Sequence, residues 1–256
     1  MLHVLMKEPM YSFRKGKKSV IDCISVDNMR QSDAYTIANL VPSRELMHRA
    51  AYGVFKASDW NGRTAIVAGS GNNGGDGFAL ACILKENGFD CAVFTVSRHL
   101  SPDSAYYADK AALAGVPVLP FEERCLEGFD TVVDCLLGTG FQGMLREKYR
   151  TAIEAINASG TNVISVDINS GMNGDTGDAE LAVRSDLTVT IGFVKRGLIS
   201  ENAGRYMKRL VCADIGIVLV KQEWRICGDQ ETLEEDSFRC PGWLDMNPIR
   251  IKNNQI

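Results

Sequence analysis

The chain has 256 residues, 45% hydrophobic and 23% charged, the proportions of a globular protein, which argues against disorder, collagen-like repeats and coiled coil. A formal charge of −4 offers no basic field for a phosphate backbone, so nucleic acid is not an expected partner. No apolar run approaches the roughly 18 residues needed to span a bilayer, and Lys7, Glu8 and Pro9 interrupt the start where a secretory segment would be apolar, so a soluble protein with no membrane partner is expected.

Residues 1–20 are polar and basic (Arg14, Lys15, Lys17, Lys18) without periodicity and are expected to form a flexible leader. Met29, Ile37 and Leu40 fit a helix capped by Ser25 or Asp27 and ended by Pro42. Ser43 is expected to cap a second helix, in which Leu46, Met47, Ala50 and Val54 recur at helical spacing. From residue 63 the pattern turns to short β-branched runs separated by helical stretches, the mark of βαβ units. Strands are expected at 64–68, 91–96, 116–119, 131–136, 163–167, 187–191 and 210–215. Most are apolar on both faces, which suits a parallel sheet covered on two sides. Helix punctuation agrees: Ser101-Pro102 opens a helix that Gly115 closes, and Gly88 and Gly160 close two others. Beyond Val220 the periodicity fades, Glu231, Glu234, Glu235 and Asp236 form an acidic patch, and an irregular extension over 221–256 is expected after a main domain over 21–220.

The eight cysteines are scattered through apolar stretches with no C-x-x-C pair, and none of the three histidines sits near a cysteine cluster. Buried thiols in a reducing compartment, without zinc or a disulfide scaffold, are the expectation.

Three glycine-rich loops each follow a predicted strand: Gly69 to Gly77, Gly138 to Gly143, and Asp167 to Met172. In an open parallel sheet, ligands bind beyond the carboxyl ends of strands, where the strand order reverses. If the first five strands lie in the order 3-2-1-4-5, the loops converge. The first loop holds G-x-G-x-x-G as Gly69, Gly71 and Gly74, with a helix expected from near Asp76, so backbone N–H groups there could approach a phosphate. The alternative is that the glycines only make a tight strand-to-helix turn. An NAD-dependent dehydrogenase would carry an acidic residue at the end of the second strand. Val96-Ser97-Arg98 stands there instead, which leaves an NADP-linked oxidoreductase as a minor alternative.

Asp134 lies within an apolar strand and Asp167 ends another, so each carboxylate needs a partner. Asp134 could serve by capping backbone N–H groups of a glycine loop. Asp167 stands at the edge where sites are built and is the favoured acid-base group. Asn73, Asp134 and Ser170 are oxygen donors on or beside the converging loops, a set that suits a hard cation. Lys195 could reach the same edge or lie in solvent.

Together these segments resemble the YjeF N-terminal domain family, the NAD(P)H-hydrate epimerases. The resemblance runs from about Val26 to Val218 and is carried by Gly71-Asn72-Asn73-Gly74-Gly75-Asp76-Gly77, Val133-Asp134-Cys135-Leu136-Leu137-Gly138-Thr139-Gly140, Val166-Asp167-Ile168-Asn169-Ser170-Gly171, and Leu187 to Ile191 with Lys195. It implies a Rossmann-like, doubly wound, mostly parallel sheet with helices on both faces, a three-layer αβα α/β fold. The implied activity is epimerisation at C6 of hydrated NADH or NADPH, an isomerase reaction that lets a separate dehydratase restore the cofactor. Carried over by position, Asn72, Asn73, Gly74, Gly75, Asp76, Gly138, Thr139, Gly140, Phe141, Gln142, Gly143, Met144 and Asp167 would contact the damaged dinucleotide. Asp167 would be catalytic, and Asn73, Asp134 and Ser170 would hold a potassium ion. A homodimer in the cytoplasm is implied, with the mitochondrion as a second location. Asn169 stands where the family usually carries proline, which is expected to leave Ser170 less firmly placed. Arg49 replaces a short amide in the second helix. A non-catalytic scaffold module that binds nucleotides or proteins is the competing expectation.

Overall fold

A computed structural model describes residues 20–228 and 236–251. The expected leader, apart from Val20, and the acidic patch, apart from Asp236, lie outside the described residues. The described residues open with strand β1 (Val20–Ile24), then helices α1 (Val26–Asn39) and α2 (Ser43–Ala57). Ser25 caps α1 by accepting the Asn28 N–H. Ser43 does not cap α2: it is the first helical residue, preceded by Pro42 without a side-chain cap.

The alternating units follow: β2 (Arg63–Ala68), α3 (Asn72–Glu86), β3 (Asp90–Thr95), α4 (Pro102–Leu113), β4 (Val118–Pro120), β5 (Thr131–Cys135), α5 (Glu147–Ala158), β6 (Asn162–Val166) and β7 (Leu187–Ile191). The remaining strands among the described residues are β8 (Val194–Lys195), β9 (Leu210–Asp214), β10 (Trp224–Cys227), β11 (Ser237–Arg239) and β12 (Ile249–Arg250). Eight strands form one sheet in the order β12-β9-β7-β6-β5-β2-β3-β4, and every neighbouring pair is parallel. The expected 3-2-1-4-5 order is present within it.

Alternation along the strands sorts side chains into two layers. Ile66, Ala68 and Val133 face a core shared with α2 and α3, whereas Ala65, Val67 and Val132 face a core built with Tyr149, Ala152, Ile153 and Ile156 of α5. Helix α3 is buried along its whole middle, Phe78 to Leu84, because it lies on the sheet between α2 and α4. The result is the three-layer α/β arrangement.

A second, four-stranded sheet in the order β11-β10-β1-β8 was not foreseen. Its pairings join the two ends of the chain: Cys23 lies opposite Trp224 and, on the other side, Val194. The segment after Val220 is therefore not simply irregular, since β10 and β11 extend this sheet and β12 borders the larger one. All eight cysteines are free; six are buried, and burial pushes the Cys82 and Cys91 thiols up to about 11. Among the described residues no helix is long and apolar enough to cross a membrane.

Candidate active site

The chain runs outward through β2, β3 and β4 and then returns to place β5 on the other side of β2, so the strand order reverses between β2 and β5. The loops after β2, β5 and β6 meet above that point. They border a cleft of about 480 Å³ closed on the far side by α1 and α2.

The glycine-rich segment is less of a loop than expected. Helix α3 starts at Asn72, not near Asp76, so Asn72 to Asp76 form its first turns and Gly71 is the N-cap residue. Gly74 is needed for packing: a Cβ there would stand 2.2 Å from the carbonyl oxygen of Gly69. Gly74 and Gly75 are buried behind the cleft wall, while Asn72, Asn73 and Asp76 line it. The amide of Asn73 is buried, and neither its Oδ1 nor its Nδ2 has a hydrogen-bond partner.

Asp167 follows β6 directly and is the only non-glycine residue with positive φ, at 70°, among the described residues. The Ile168 N–H reaches the Val166 carbonyl at 2.9 Å, closing a tight turn around it. A left-handed aspartate of this kind costs about 1–3 kcal/mol and persists only where its surroundings over-determine it. Those surroundings are specific. Lys195 Nζ donates to Asp167 Oδ1 at 2.5 Å and the Thr139 N–H donates to Oδ2 at 3.1 Å. The lysine is not in solvent: its side chain is 1% exposed, and it also donates to Thr190 Oγ1 at 3.0 Å and the Ile191 carbonyl at 2.7 Å.

Asp134 is fully buried and accepts from Ser170 N–H at 2.9 Å, Ser170 Oγ at 2.5 Å, Ser165 Oγ at 3.0 Å and Leu136 N–H at 3.2 Å. Burial pushes its carboxyl up, and these donors pull against that shift. Its position ties the loop after β6 to the loop after β5, because Ser170 Oγ also accepts the Leu137 N–H at 2.9 Å. The expected looseness of Ser170 is absent. Asn169, with no exposed surface, donates through Nδ2 to the carbonyls of Val183 and Tyr206 and to Ser185 Oγ, and accepts from Thr188 Oγ1 at 2.6 Å. Hydrogen bonds do here what a proline ring would do by fixing φ.

Of the remaining candidates, Gly138, Thr139, Gly140 and Phe141 line the cleft. Gln142 and Gly143 border a neighbouring depression that shares Phe141, and Met144 is 90% exposed on the open surface. Asp134 and Ser170 lie behind the cleft rather than on its wall. Ser97 and Arg98, the anchors of the oxidoreductase alternative, are not among its lining residues. Arg49 is buried, pairs with Glu45 and donates to the carbonyl of Ile215; it is not itself among the residues that line the cleft.

Sequence reasoning missed Arg30 and Asp33 of α1, Asp103 at the start of α4, and Ile215 and Ile217 beyond β9, all of which line the cleft. Asp33 could have been found as an acidic residue one turn beyond Met29 on the face that α1 turns inward.

Residues 43–197 match the family of YjeF-related protein N-termini. An NAD(P)H-hydrate epimerase of Limosilactobacillus fermentum is 35% identical over 199 residues, covering 75% of this chain and 95% of that protein. A bifunctional NAD(P)H-hydrate repair enzyme of Coxiella burnetii is 36% identical over 196 residues, covering 74% of this chain; the match takes in only 40% of that longer protein. Among solved structures, the crystal structure of yeast ynu0 superposes with a TM-score of 0.66 at 20% identity, covering 79% of this chain and 97% of that one, and shares the fold. With the family match spanning more than half its length and the loops arranged around one cleft, the chain belongs to the YjeF-related N-terminal family.

Proposed function

We propose that the chain interconverts the R and S forms of hydrated NADH and NADPH at the C6 carbon of the nicotinamide ring. The observation that carries this assignment is Asp167, held in a strained conformation by Lys195 and facing the first turns of α3 across the cleft. The C6 hydroxyl stands next to a ring nitrogen whose lone pair can expel it, leaving a flat C6=N1 cation that water can attack from the opposite side. Asp167 takes the proton of that water. Its ion pair with a buried lysine fixes the carboxylate at the cleft wall, in the place a base must occupy.

The remaining residues bind and orient. Asn72, Asn73 and the backbone N–H groups at the start of α3 receive the phosphate side of the substrate together with Gly138, Thr139, Gly140 and Phe141. Gln142, Gly143 and Met144 continue that edge outward. The family's potassium ion fits the donors present: Asn73 carries a buried, unpartnered amide, and Asp134 and Ser170 add carboxylate and hydroxyl oxygens. Potassium bound by Asn73, Asp134 and Ser170 would supply a fixed positive charge behind the loops. The likeness to a bifunctional NAD(P)H-hydrate repair enzyme supports coupling of this step to a dehydratase that restores the cofactor.

The test is chromatographic. Purified protein given one pure epimer of NADHX or NADPHX should produce the other faster than buffer alone, and Asp167→Asn should lose that acceleration. Exchange no faster than in buffer would overturn the assignment and favour a scaffold role.

A further inference from the structure

Asp167 is not the only carboxylate in the cleft. Asp76, on the second turn of α3, and Asp33, midway along α1, line it as well. Two cations share that lining, and among the described residues neither makes an ion pair with Asp33 or Asp76. The three N–H groups of Lys195 go to Asp167, Thr190 and Ile191, so none is left for the other carboxylates. Arg30 donates to the Thr139 carbonyl at 3.2 Å. Asp103, on the rim, pairs with Arg44. Among the described residues neither the Asp33 nor the Asp76 side chain has a hydrogen bond or an ion pair. Next to them on the wall is Asn73, 8% exposed and with both polar atoms of its amide unpartnered. Two carboxyls without an ion-pair partner share one cleft wall with a third that has one, a crowding of like charges that favours a proton on one of them.

We propose that Asp76 is the acid that protonates the departing C6 hydroxyl, and that Asp33 acts through it, as the neighbouring negative charge that keeps the proton in place. This rests on the epimerase assignment above. The C6–O bond breaks with its electron pair on oxygen, which takes the Asp76 proton and leaves as water while the N1 lone pair forms C6=N1. Water then adds to the other side of C6, the N1 electrons return, and the released proton goes to Asp167. Exchange with solvent through the open cleft returns both carboxyls to their starting states. The groups facing Asp76 are Asp167 from the end of β6, Asp33 and Arg30 from α1, Lys195 from β8 and Asp103 from α4. Burial raises the Asp76 carboxyl well above its ordinary value, the charges of Asp167 and Asp33 raise it further, and the charge of Lys195 pulls against them without cancelling the rise. Burial also lifts Asp33, to about 6, which leaves it mostly ionised at neutral pH. Asp33 lies outside the 43–197 stretch that defines the family match, so only the three-dimensional arrangement brings it to the site.

Two measurements test this. The pH dependence of epimer exchange is followed between about pH 5 and 9 for wild type, Asp76→Asn and Asp33→Asn. Asp76→Asn should lower kcat by about 100-fold or more with KM little changed, and should abolish the alkaline limb of the profile. Asp33→Asn should move that limb to lower pH, because a like charge has been removed from beside Asp76; a merely structural residue would not move it. Wild-type kcat in Asp76→Asn, or an unmoved limb in Asp33→Asn, overturns the proposal. Carboxyl carbon NMR of the substrate-free protein gives the second readout. Asp76 should titrate above the ordinary carboxylate range, and lower in Asp33→Asn than in wild type; titration of Asp76 in the ordinary range overturns the proposal. If wild type fails to speed exchange while Asp76 does titrate high, the epimerase assignment falls and takes the acid's role in this reaction with it, but the proton-holding pair stands.

Discussion

Replacing Lys195 by methionine tests whether the site is built on a buried charge pair. Methionine is unbranched and of similar length, so it fills the space of the lysine stem and deletes only the ammonium. Two of the three acceptors keep other partners. Thr190 Oγ1 has the Phe193 carbonyl at 3.4 Å and the Ile191 carbonyl receives the Phe193 N–H at 3.0 Å. The uncompensated group is Asp167, 13% exposed at its side chain, left with one backbone N–H from Thr139. Removing one member of a buried pair typically destabilises by about 3–5 kcal/mol. At roughly 2–4 °C per kcal/mol for a chain of this size, Tm should fall by about 6–20 °C, measured by calorimetry. Lys195→Met combined with Asp167→Asn removes both charges, and asparagine tolerates the left-handed conformation, so the double variant should recover part of the loss. A single variant within about 0.5 kcal/mol of wild type, or a double variant that merely adds the two losses, would refute the account of the pair.

Asn169→Ala should cost about 2–3 kcal/mol in denaturant unfolding, since it strands the carbonyls of Val183 and Tyr206 in a buried setting; a loss below about 0.5 kcal/mol would show that the network does not hold the loop. Asp33 is pushed from 3.8 to about 6 on folding, so between those values the folded protein holds the extra proton and this group's contribution to stability falls as pH rises. Asp33→Asn should therefore stabilise the protein at pH 7 by no more than about 3 kcal/mol, seen as a raised Tm, with the gain shrinking towards pH 4; an unchanged or lowered Tm at pH 7 would contradict it. Potassium should stabilise the protein relative to a large organic cation at equal ionic strength, by about 2.7 kcal/mol at 100 times its Kd and with a raised Tm, and Asn73→Ala should abolish the difference. Equal Tm values in both salts would remove the ion from the account.

The parts of this molecule that follow local rules were legible in its sequence. The βαβ rhythm, the placement of seven strands and the Ser101-Pro102 helix start each depend on residues close together in the chain. The start of α3 was misplaced because Asn72 to Gly75 read as loop residues by propensity. Burial against the sheet, and the closeness of Gly74 to Gly69, hold them in the helix instead. The second sheet was invisible because β1 pairs with a strand some two hundred residues away, and no spacing records such a pairing. Asp134 and Asp167 stood out as carboxylates in apolar runs, whereas Asp33 did not, because an acidic residue on a surface helix is ordinary until the opposite wall of a cleft is known. Asn169 read as the loss of a ring's stiffness because its hydrogen-bonding partners, Val183, Ser185 and Thr188 in one stretch and Tyr206 in another, lie 14 or more residues further along the chain.

The central claim is that this cleft detaches the C6 hydroxyl and returns water on the other face. One incubation tests it: a single pure epimer of NADHX with the wild-type protein in water enriched in oxygen-18, followed by chromatography and mass spectrometry. The account predicts that the opposite epimer forms faster than in buffer and that its C6 hydroxyl carries the label from the first turnovers. Formation no faster than in buffer, or fast formation of an unlabelled product, would contradict it.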